Sequence, residues 1–128
     1  MERKDIMLRS FRELSVWQRS MLLTTTIYRL TQGFPREEIF GLVSQLRRAS
    51  VAIPSNIAEG HGRSTVGEYR QFLGIARGSN FELQTQLEIA RSLGMGNAKL
   101  SEEAERLSHE VGKMIYAILQ KLKTPHAA

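Results

Sequence analysis

The sequence predicts an all-α protein that folds as an antiparallel up-down-up-down four-helix bundle. Apolar residues recur at gaps of three and four along four long stretches, the spacing of one buried helix face. Short turns separate these stretches, and short turns make successive helices antiparallel neighbours. No stretch alternates apolar and polar residues as a half-buried strand does. The 128 residues suit a single domain over 1–128, with a loose arm at 1–13 and a frayed tail at 124–128.

The first helix is predicted to begin at Leu14 and to stop at Gly33, and Pro35 prevents its continuation. Its apolar residues form two stripes, so this helix should contact more than one neighbour. The stripes consist of Leu14, Trp17, Met21 and Tyr28, and of Val16, Leu23, Ile27 and Leu30. Three threonines at 24–26 lower helix propensity because β-branched side chains lose rotamer freedom. Packing must therefore override this local preference.

The second helix is predicted to start near residues 35–37 and to close at 60–62. Proline is tolerated in a first turn, and Glu37 and Glu38 favour the positive end of a helix. The apolar seam comprises Ile39, Leu42, Leu46, Ala49, Ile53 and Ile57. Pro54 lies inside this seam, which continues in phase beyond it. We therefore expect a kink at Pro54 rather than an end.

The third helix should open at Ser64 or Thr65, where Thr65-x-x-Glu68 fits a capping box. Gly74 and Gly78 lie inside it and each costs about 1 kcal/mol relative to alanine, so we expect a neighbouring backbone to approach closely there. The turn at 94–96 ends this helix. Asn97 is expected to cap the fourth helix, whose apolar seam lasts three heptads.

Composition favours a polyanionic partner. The net charge is +5, and 13 of the 18 basic residues are arginine, which suits bidentate recognition of phosphate or carboxylate. The alternative is that the charge only keeps a small protein in solution. The absence of cysteine excludes disulfides, thiolate nucleophiles and cysteine-based zinc sites. The absence of an apolar run of about 18 residues, and of a secretory signal at 1–9, makes the cytoplasm the expected location.

The sequence offers no pattern for catalysis. No glutamate has a histidine three residues later, as the di-iron bundles require. The glycine turns at 60–62 and 94–96 match no phosphate-binding loop and follow helices rather than strands. We therefore expect no enzyme activity, no catalytic residue, no cofactor and no metal.

Arg63, Arg70 and Arg77 are spaced by seven residues and form one stripe on a helix. No acidic residue lies three or four positions from Arg70 or Arg77, so both lack local partners. If the turn is centred near His61 and Gly62, an antiparallel second helix places Arg47 roughly level with Arg77 and so forms a basic patch with Arg70. Three interpretations remain open for this patch: phosphate binding, pairing with acids of another helix or subunit, or simple solvation. Because the aromatic residues fall mostly in the seams, backbone contact is favoured over stacking of bases.

Four polar residues lie on or near the seams: Asn56, Glu59, Ser79 and Glu82. If buried, they must bond to one another or to an arginine, because an unpaired buried polar group is costly. A structural network that fixes the register of the helices is the first interpretation. A site for a ligand or partner is the second.

Taken together, several motifs resemble the small four-helix-bundle proteins encoded within intervening sequences of bacterial 23S rRNA genes. The resemblance covers roughly residues 11–94. It is carried by Leu14-x-Val16-Trp17-Gln18, Tyr28, Gly33-Phe34-Pro35-x-x-Glu38-x-Phe40-Gly41-Leu42, Gln45-Leu46-Arg47-Arg48-Ala49, Ile53-Pro54-Ser55-Asn56-Ile57-Ala58-Glu59-Gly60 and Phe72-Leu73-x-Ile75-Ala76-x-Gly78-Ser79-x-x-Glu82-Leu83.

The resemblance implies a four-helix bundle that assembles as a barrel-shaped homopentamer. The chain is also similar to the accessory protein of diversity-generating retroelements, which implies a basic assembly that binds nucleic acid and a reverse transcriptase. The leading hypothesis is a non-enzymatic, oligomeric, nucleic-acid-binding accessory protein that contacts RNA or DNA phosphates through Arg47, Arg48, Arg63, Arg70 and Arg77. The alternative is a protein-interaction scaffold whose arginine stripe pairs with neighbouring subunits or a protein partner.

Overall fold

Four long α-helices build the protein: α1 (Ser15–Gln32), α2 (Leu42–His61), α3 (Val66–Ser92) and α4 (Ala98–Lys121). The computed structural model describes residues 10–123, and this range contains no strand. The prediction of an all-α protein with four helices is confirmed. None of the four helices combines the length and apolar content needed to cross a membrane.

The start of the described chain packs against α1. Phe11–Glu13 form a short 3₁₀ helix, and the ring of Phe11 packs edge-on against Trp17 with 5.3 Å between centroids. This part of the predicted loose arm is therefore attached to α1. The rest of the arm, and the predicted tail at 124–128, lie outside the described residues.

The second helix begins later than predicted, at Leu42 rather than near residues 35–37. A separate 3₁₀ helix, Arg36–Glu38, precedes it, and Gly41 lies outside the helical region at φ −109° and ψ −114°. The carboxylate of Glu38 turns forward along the chain and accepts the N–H of Leu42 at 3.1 Å. Glu38 thus satisfies an N–H that α2 leaves without an intrahelical partner, and this separates α2 from the preceding turn.

The caps predicted for α3 and α4 are confirmed. Thr65 Oγ1 accepts the N–H of Glu68 at 3.1 Å, and Asn97 Oδ1 accepts that of Leu100 at 3.0 Å. In a full capping box Glu68 would accept the backbone N–H of Thr65. Here the Thr65 hydroxyl donates to the Glu68 carboxylate at 3.2 Å instead.

Each helix contributes fully buried apolar side chains to one core, and each such side chain stabilises the fold by roughly 1.5–3 kcal/mol. The largest are Leu23, Ile27, Leu30, Leu46, Ile53, Ile57, Leu73, Leu83, Leu87, Leu107, Val111 and Ile115. Those from α1 and α2 all belong to the apolar series predicted from the sequence. In the other predicted stripe of α1, Met21 and Tyr28 are each 39% exposed.

α2 continues past Pro54, so the helix does not end at the proline. Proline has no N–H and cannot donate to the carbonyl four residues earlier, which belongs to Ser50. Thr24 of α1 supplies the missing donor, with its hydroxyl 2.8 Å from that carbonyl. A residue of the threonine run thus completes the hydrogen bonding of the neighbouring helix.

The glycines that require close packing are not those predicted. A Cβ at Gly74 or Gly78 would meet no described atom within 4 Å, so the expected close approach of a neighbouring backbone is wrong there. The close approach is at Gly60, where a Cβ would lie 2.8 Å from Cβ of Phe72 and 3.0 Å from Cδ1 of Tyr69. The end of α2 therefore lies directly against the start of α3.

Candidate nucleic-acid interface

Two arginines on the exposed side of α3 have no acidic partner among residues 10–123. Both Arg70 and Arg77 are exposed. Within residues 10–123, Arg70 makes no hydrogen bond, ion pair or ring contact, and Arg77 contacts only aromatic rings. Arg63, by contrast, lies in the turn before α3 begins at Val66, so it is not part of the helical stripe.

Arg77 lies in a groove between α3 and α4, which we call the Arg77 groove. Its guanidinium carbon is 5.2 Å from the ring centroid of Phe81 and 5.8 Å from that of Tyr116. Both of these aromatic residues are 51% exposed. The groove has a volume of about 400 Å³, and its other lining residues are Gln84, His109, Gly112 and Lys113. Cations and aromatic rings line it, and none of these lining residues is a carboxylate.

Arg91 follows the same seven-residue spacing on α3 but is paired. It forms an ion pair and hydrogen bond with Glu105 of α4, rather than with Glu88 on its own helix. The hydrogen bond and the negative charge of Glu105 raise the pKa of Arg91. Of the three arginines of α3, Arg91 is therefore neutralised by a carboxylate of α4, whereas Arg70 and Arg77 are not.

Arg47 points towards α1. Its Nε donates to Thr31 Oγ1 at 2.8 Å, and its guanidinium lies 4.4 Å from the centroid of the Tyr28 ring. With Arg36 it lines a hollow of about 320 Å³ where α1 joins α2. Arg48, the next residue, is exposed and makes no described polar contact. Arg47 and Arg48 therefore offer charge at a second place, separate from the Arg77 groove.

The prediction that Arg47 lies level with Arg77 is wrong. Gln45 of α2 contacts Gln86 of α3, with 3.5 Å between Oε1 and Nε2. This pairing places Arg47 about seven residues along α3 from Arg77, or roughly 10 Å at the helical rise. The turn occupies residues 62–65, so it is centred about two residues later than the His61–Gly62 position assumed from the sequence, and this accounts for about four of the seven residues.

Arg63 is exposed at the end of α2 and is partly neutralised. Its guanidinium is 3.6 Å from the carboxylate of Glu59 and 5.0 Å from the ring centroid of Phe72. An exposed ion pair of this kind contributes little stability. Arg63 can still bind a phosphate, but the phosphate must compete with the carboxylate of Glu59.

The four predicted network residues are not joined to one another. Asn56 donates to the carbonyl of Ala52 in its own helix at 2.8 Å, and Glu59 is exposed. The Ser79 side chain makes no hydrogen bond within the described chain, and Glu82 only approaches Gln86 Nε2, at 3.5 Å.

A different buried network joins α3 to α4. Ser108 Oγ donates to Asn80 Oδ1 at 2.7 Å, and Asn80 Nδ2 returns a bond to the Ser108 carbonyl at 2.9 Å. Gln84 Nε2 also donates to Ser108 Oγ at 2.9 Å. The register-fixing role was thus expected of Ser79, whereas Asn80 is the residue that faces α4.

The sequence interpretation missed Phe81, Tyr116 and Lys113. It placed most of the aromatic residues in the seams, and it drew no conclusion from Phe81 and Tyr116, which lie outside them. For Tyr116 the helical period contained a signal. Met114 and Ile118 belong to the apolar seam of the fourth helix, and Tyr116 is two residues from both, so it points away from that seam. Only the fold, however, brings Tyr116 opposite Phe81.

Comparisons with known proteins agree with the helical fold. A family model described as 23S rRNA-intervening sequence protein matches residues 12–117. A crystal structure of a protein with unknown function from the S23 ribosomal protein family of Bacteroides thetaiotaomicron superposes with a TM-score of 0.72. The identity is 20%, and the match covers 81% of this chain and 97% of that one, so this likeness concerns the fold alone. None of the curated proteins compared with the chain matches it.

Proposed function

The chain belongs to the 23S rRNA-intervening sequence protein family, and we propose that it is a non-enzymatic, oligomeric protein that binds the phosphates of RNA or DNA. One observation carries this proposal: Arg70 and Arg77 are exposed on one helix without an acidic partner in the described chain. Arginines kept free of carboxylates suit phosphate, which they bind through charge-assisted hydrogen bonds. Most protein–nucleic acid hydrogen bonds of this kind go to the backbone.

The proposal includes several finer points. We take the bundle as antiparallel, up-down-up-down, with α2 kinked at Pro54. Thr24 pairs with Ser50 and Thr31 with Arg47, in opposite chain directions, which supports antiparallel packing of α1 and α2. The absent N–H of Pro54 supports the kink. We place the protein in the cytoplasm. The resemblance to the retroelement accessory proteins implies a homopentamer that binds RNA or DNA together with a reverse transcriptase. Five chains of +5 would carry about +25, a strong field for a polyanion.

Binding should weaken steeply with salt, because phosphate contacts release counterions. The test titrates labelled RNA and DNA into purified protein from low to high salt, with the assembly mass measured by light scattering. Absence of binding at low salt, or an affinity that salt leaves unchanged, contradicts the proposal. The double variant Arg70→Ala with Arg77→Ala should keep its mass and lose much of its affinity.

A second candidate function, a protein-interaction scaffold, is favoured by exposed apolar side chains. Phe40 is 93% exposed and Ile39 is 54% exposed in the connection between α1 and α2. Large exposed apolar groups next to one another often mark a contact surface. On this interpretation the arginines pair with acids of another subunit, and the same double variant should dissociate the assembly while nucleic acid has no effect.

A further inference from the structure

We propose that the Arg77 groove holds one unpaired base of single-stranded RNA or DNA, with the adjoining phosphate on Arg77 and Lys113. This inference rests on the proposed function and names the part of the nucleic acid that this face takes. Phosphate contact alone would need only the two cations. The groove also presents Phe81 and Tyr116, and their arrangement suits a flat, neutral ring system.

The two rings come from different helices and flank one planar group. The guanidinium of Arg77 is within 6 Å of both ring centroids, so a flat cation already lies against Phe81 and Tyr116. Every base has a π-face and can stack on such rings whatever its identity. Phe81 and Tyr116 are each about half exposed in the described chain, and a stacked base would cover part of that surface.

The charge of the Arg77 groove matches a nucleotide. Arg77, Lys113 and the neighbouring His109 contribute basic groups, and the groove's lining contains no carboxylate. The Nε2 of Gln84 is already bonded to Ser108 Oγ, which fixes the amide. No described residue donates to Oε1 of Gln84, so this oxygen remains an acceptor for an exocyclic amine. An acidic peptide would use the cations but would leave the aromatic surface exposed.

The size of the Arg77 groove is also suitable. About 400 Å³ lies within the range of small-ligand sites. Gly112 contributes to the lining without a side chain, and a Cβ there would lie 3.2 Å from Nδ2 of Asn80. The buried contact between α3 and α4 therefore lies directly beneath the groove.

The test separates base contact from phosphate contact. Fluorescence anisotropy compares a labelled single-stranded oligonucleotide with an abasic strand of the same length and charge, at one salt concentration. The intact strand should bind between about 5- and 150-fold more tightly, the range expected when one stacked base is lost. Phe81→Leu and Tyr116→Leu keep the apolar volume but remove the rings, and each should shrink this ratio towards one. Phe81→Tyr and Tyr116→Phe retain the rings and should keep it, and circular dichroism confirms that all four variants fold.

The outcomes are distinguishable. Equal, salt-sensitive binding of intact and abasic strands overturns the base site and leaves the proposed function standing. A base preference that survives both leucine variants places the stacking elsewhere and also overturns it. Displacement of the intact strand by polyglutamate of equal charge as efficiently as by the unlabelled strand shows a general anion or acidic-peptide site. If neither strand binds at low salt, the proposed function fails together with the inference.

Discussion

The hydroxyl of Thr24 in α1 donates to the carbonyl of Ser50 in α2, the carbonyl that Pro54 leaves without its helical donor. The oxygen-to-oxygen distance is 2.8 Å, shorter than the 3.0 Å from the same hydroxyl to the Ser20 carbonyl in its own helix. A buried carbonyl without a donor costs about 1–3 kcal/mol. One bond between helices thus compensates for a proline within a helix.

Replacing Thr24 by valine should lower the free energy of unfolding by about 1–3 kcal/mol, because the shape is retained and the hydroxyl is lost. Urea denaturation measures the change. Thr25→Val is the control, since Thr25 is exposed and bonds only to Leu22 of its own helix.

Restoring the backbone donor should remove most of that loss. With Pro54→Ala, residue 54 can donate to the Ser50 carbonyl, so Thr24→Val in this background should cost less than in the native chain. The difference is the coupling energy of a double-mutant cycle. Additive effects would show that Thr24 stabilises the fold for another reason.

The buried pair Asn80 and Ser108 should be the polar contact that the fold depends on most. Asn80→Leu removes both hydrogen bonds between Asn80 and Ser108, and we expect a loss of about 1–3 kcal/mol in unfolding free energy, the sum for two such bonds. Ser79→Ala is the matched control on the adjacent residue. A similar loss at both positions would contradict the assignment, and urea titration of the two variants decides.

Alanine substitution of glycine should give opposite signs at different places. Gly60→Ala should destabilise by about 1–3 kcal/mol because its Cβ would overlap Phe72. Gly74→Ala and Gly78→Ala meet open space within α3 and should stabilise by about 0.5–1 kcal/mol. Thermal unfolding of the three variants tests this. A loss of stability at Gly74 or Gly78 would indicate that another copy approaches there.

Stability should decline at alkaline pH through Tyr69. Burial raises the pKa of this phenol above its usual value of 10.0. The folded protein therefore keeps the proton to higher pH than the unfolded chain. The contribution is complete below pH 10.0 and is lost as pH rises towards the folded pKa. Absorbance is titrated against pH for the native protein and for Tyr69→Phe, and the difference between the two curves reports the ionisation of the Tyr69 phenol. A midpoint of this difference curve at or below pH 10.0 would contradict the prediction.

Single arginine variants should separate free from paired charges. Arg77→Ala should reduce the slope of log affinity against log salt by about 0.7–0.9, the effect of one phosphate contact. Arg91→Ala is the control on the same helix, because Glu105 already pairs with Arg91. Equal changes of slope would show that the binding reflects overall charge rather than the unpaired arginines.

The sequence predicted the helices more accurately than the residues of the candidate site. Periodicity identifies which residues are buried, and the caps at Thr65 and Asn97 are local hydrogen bonds that residue type predicts. The start of α2 was missed because Glu38 bonds forward to Leu42, and the sequence does not show which way a carboxylate turns. Residues of the Arg77 groove come from two helices, and their meeting depends on register.

Register itself depends on a few residues of turn. Moving the centre of the turn by about two residues moves the expected partner of Arg47 by about four residues along α3. The sequence predicted that Arg70 and Arg77 lack acidic partners on their own helix, because no acidic residue lies three or four positions away. The pairing of Arg91 could not, because its partner Glu105 belongs to α4.

The two ends of the bundle should differ in the insertions they tolerate. Gly96 has φ +85°, and a Cβ there would lie 2.7 Å from Leu30 and 2.8 Å from Phe34, so the turn between α3 and α4 is held against the end of α1. The turn at 62–65 is exposed along its whole length. A peptide tag or a fluorescent label placed at Ser64 should therefore leave the bundle intact, whereas the same addition at 94–96 should separate α1 from its neighbours.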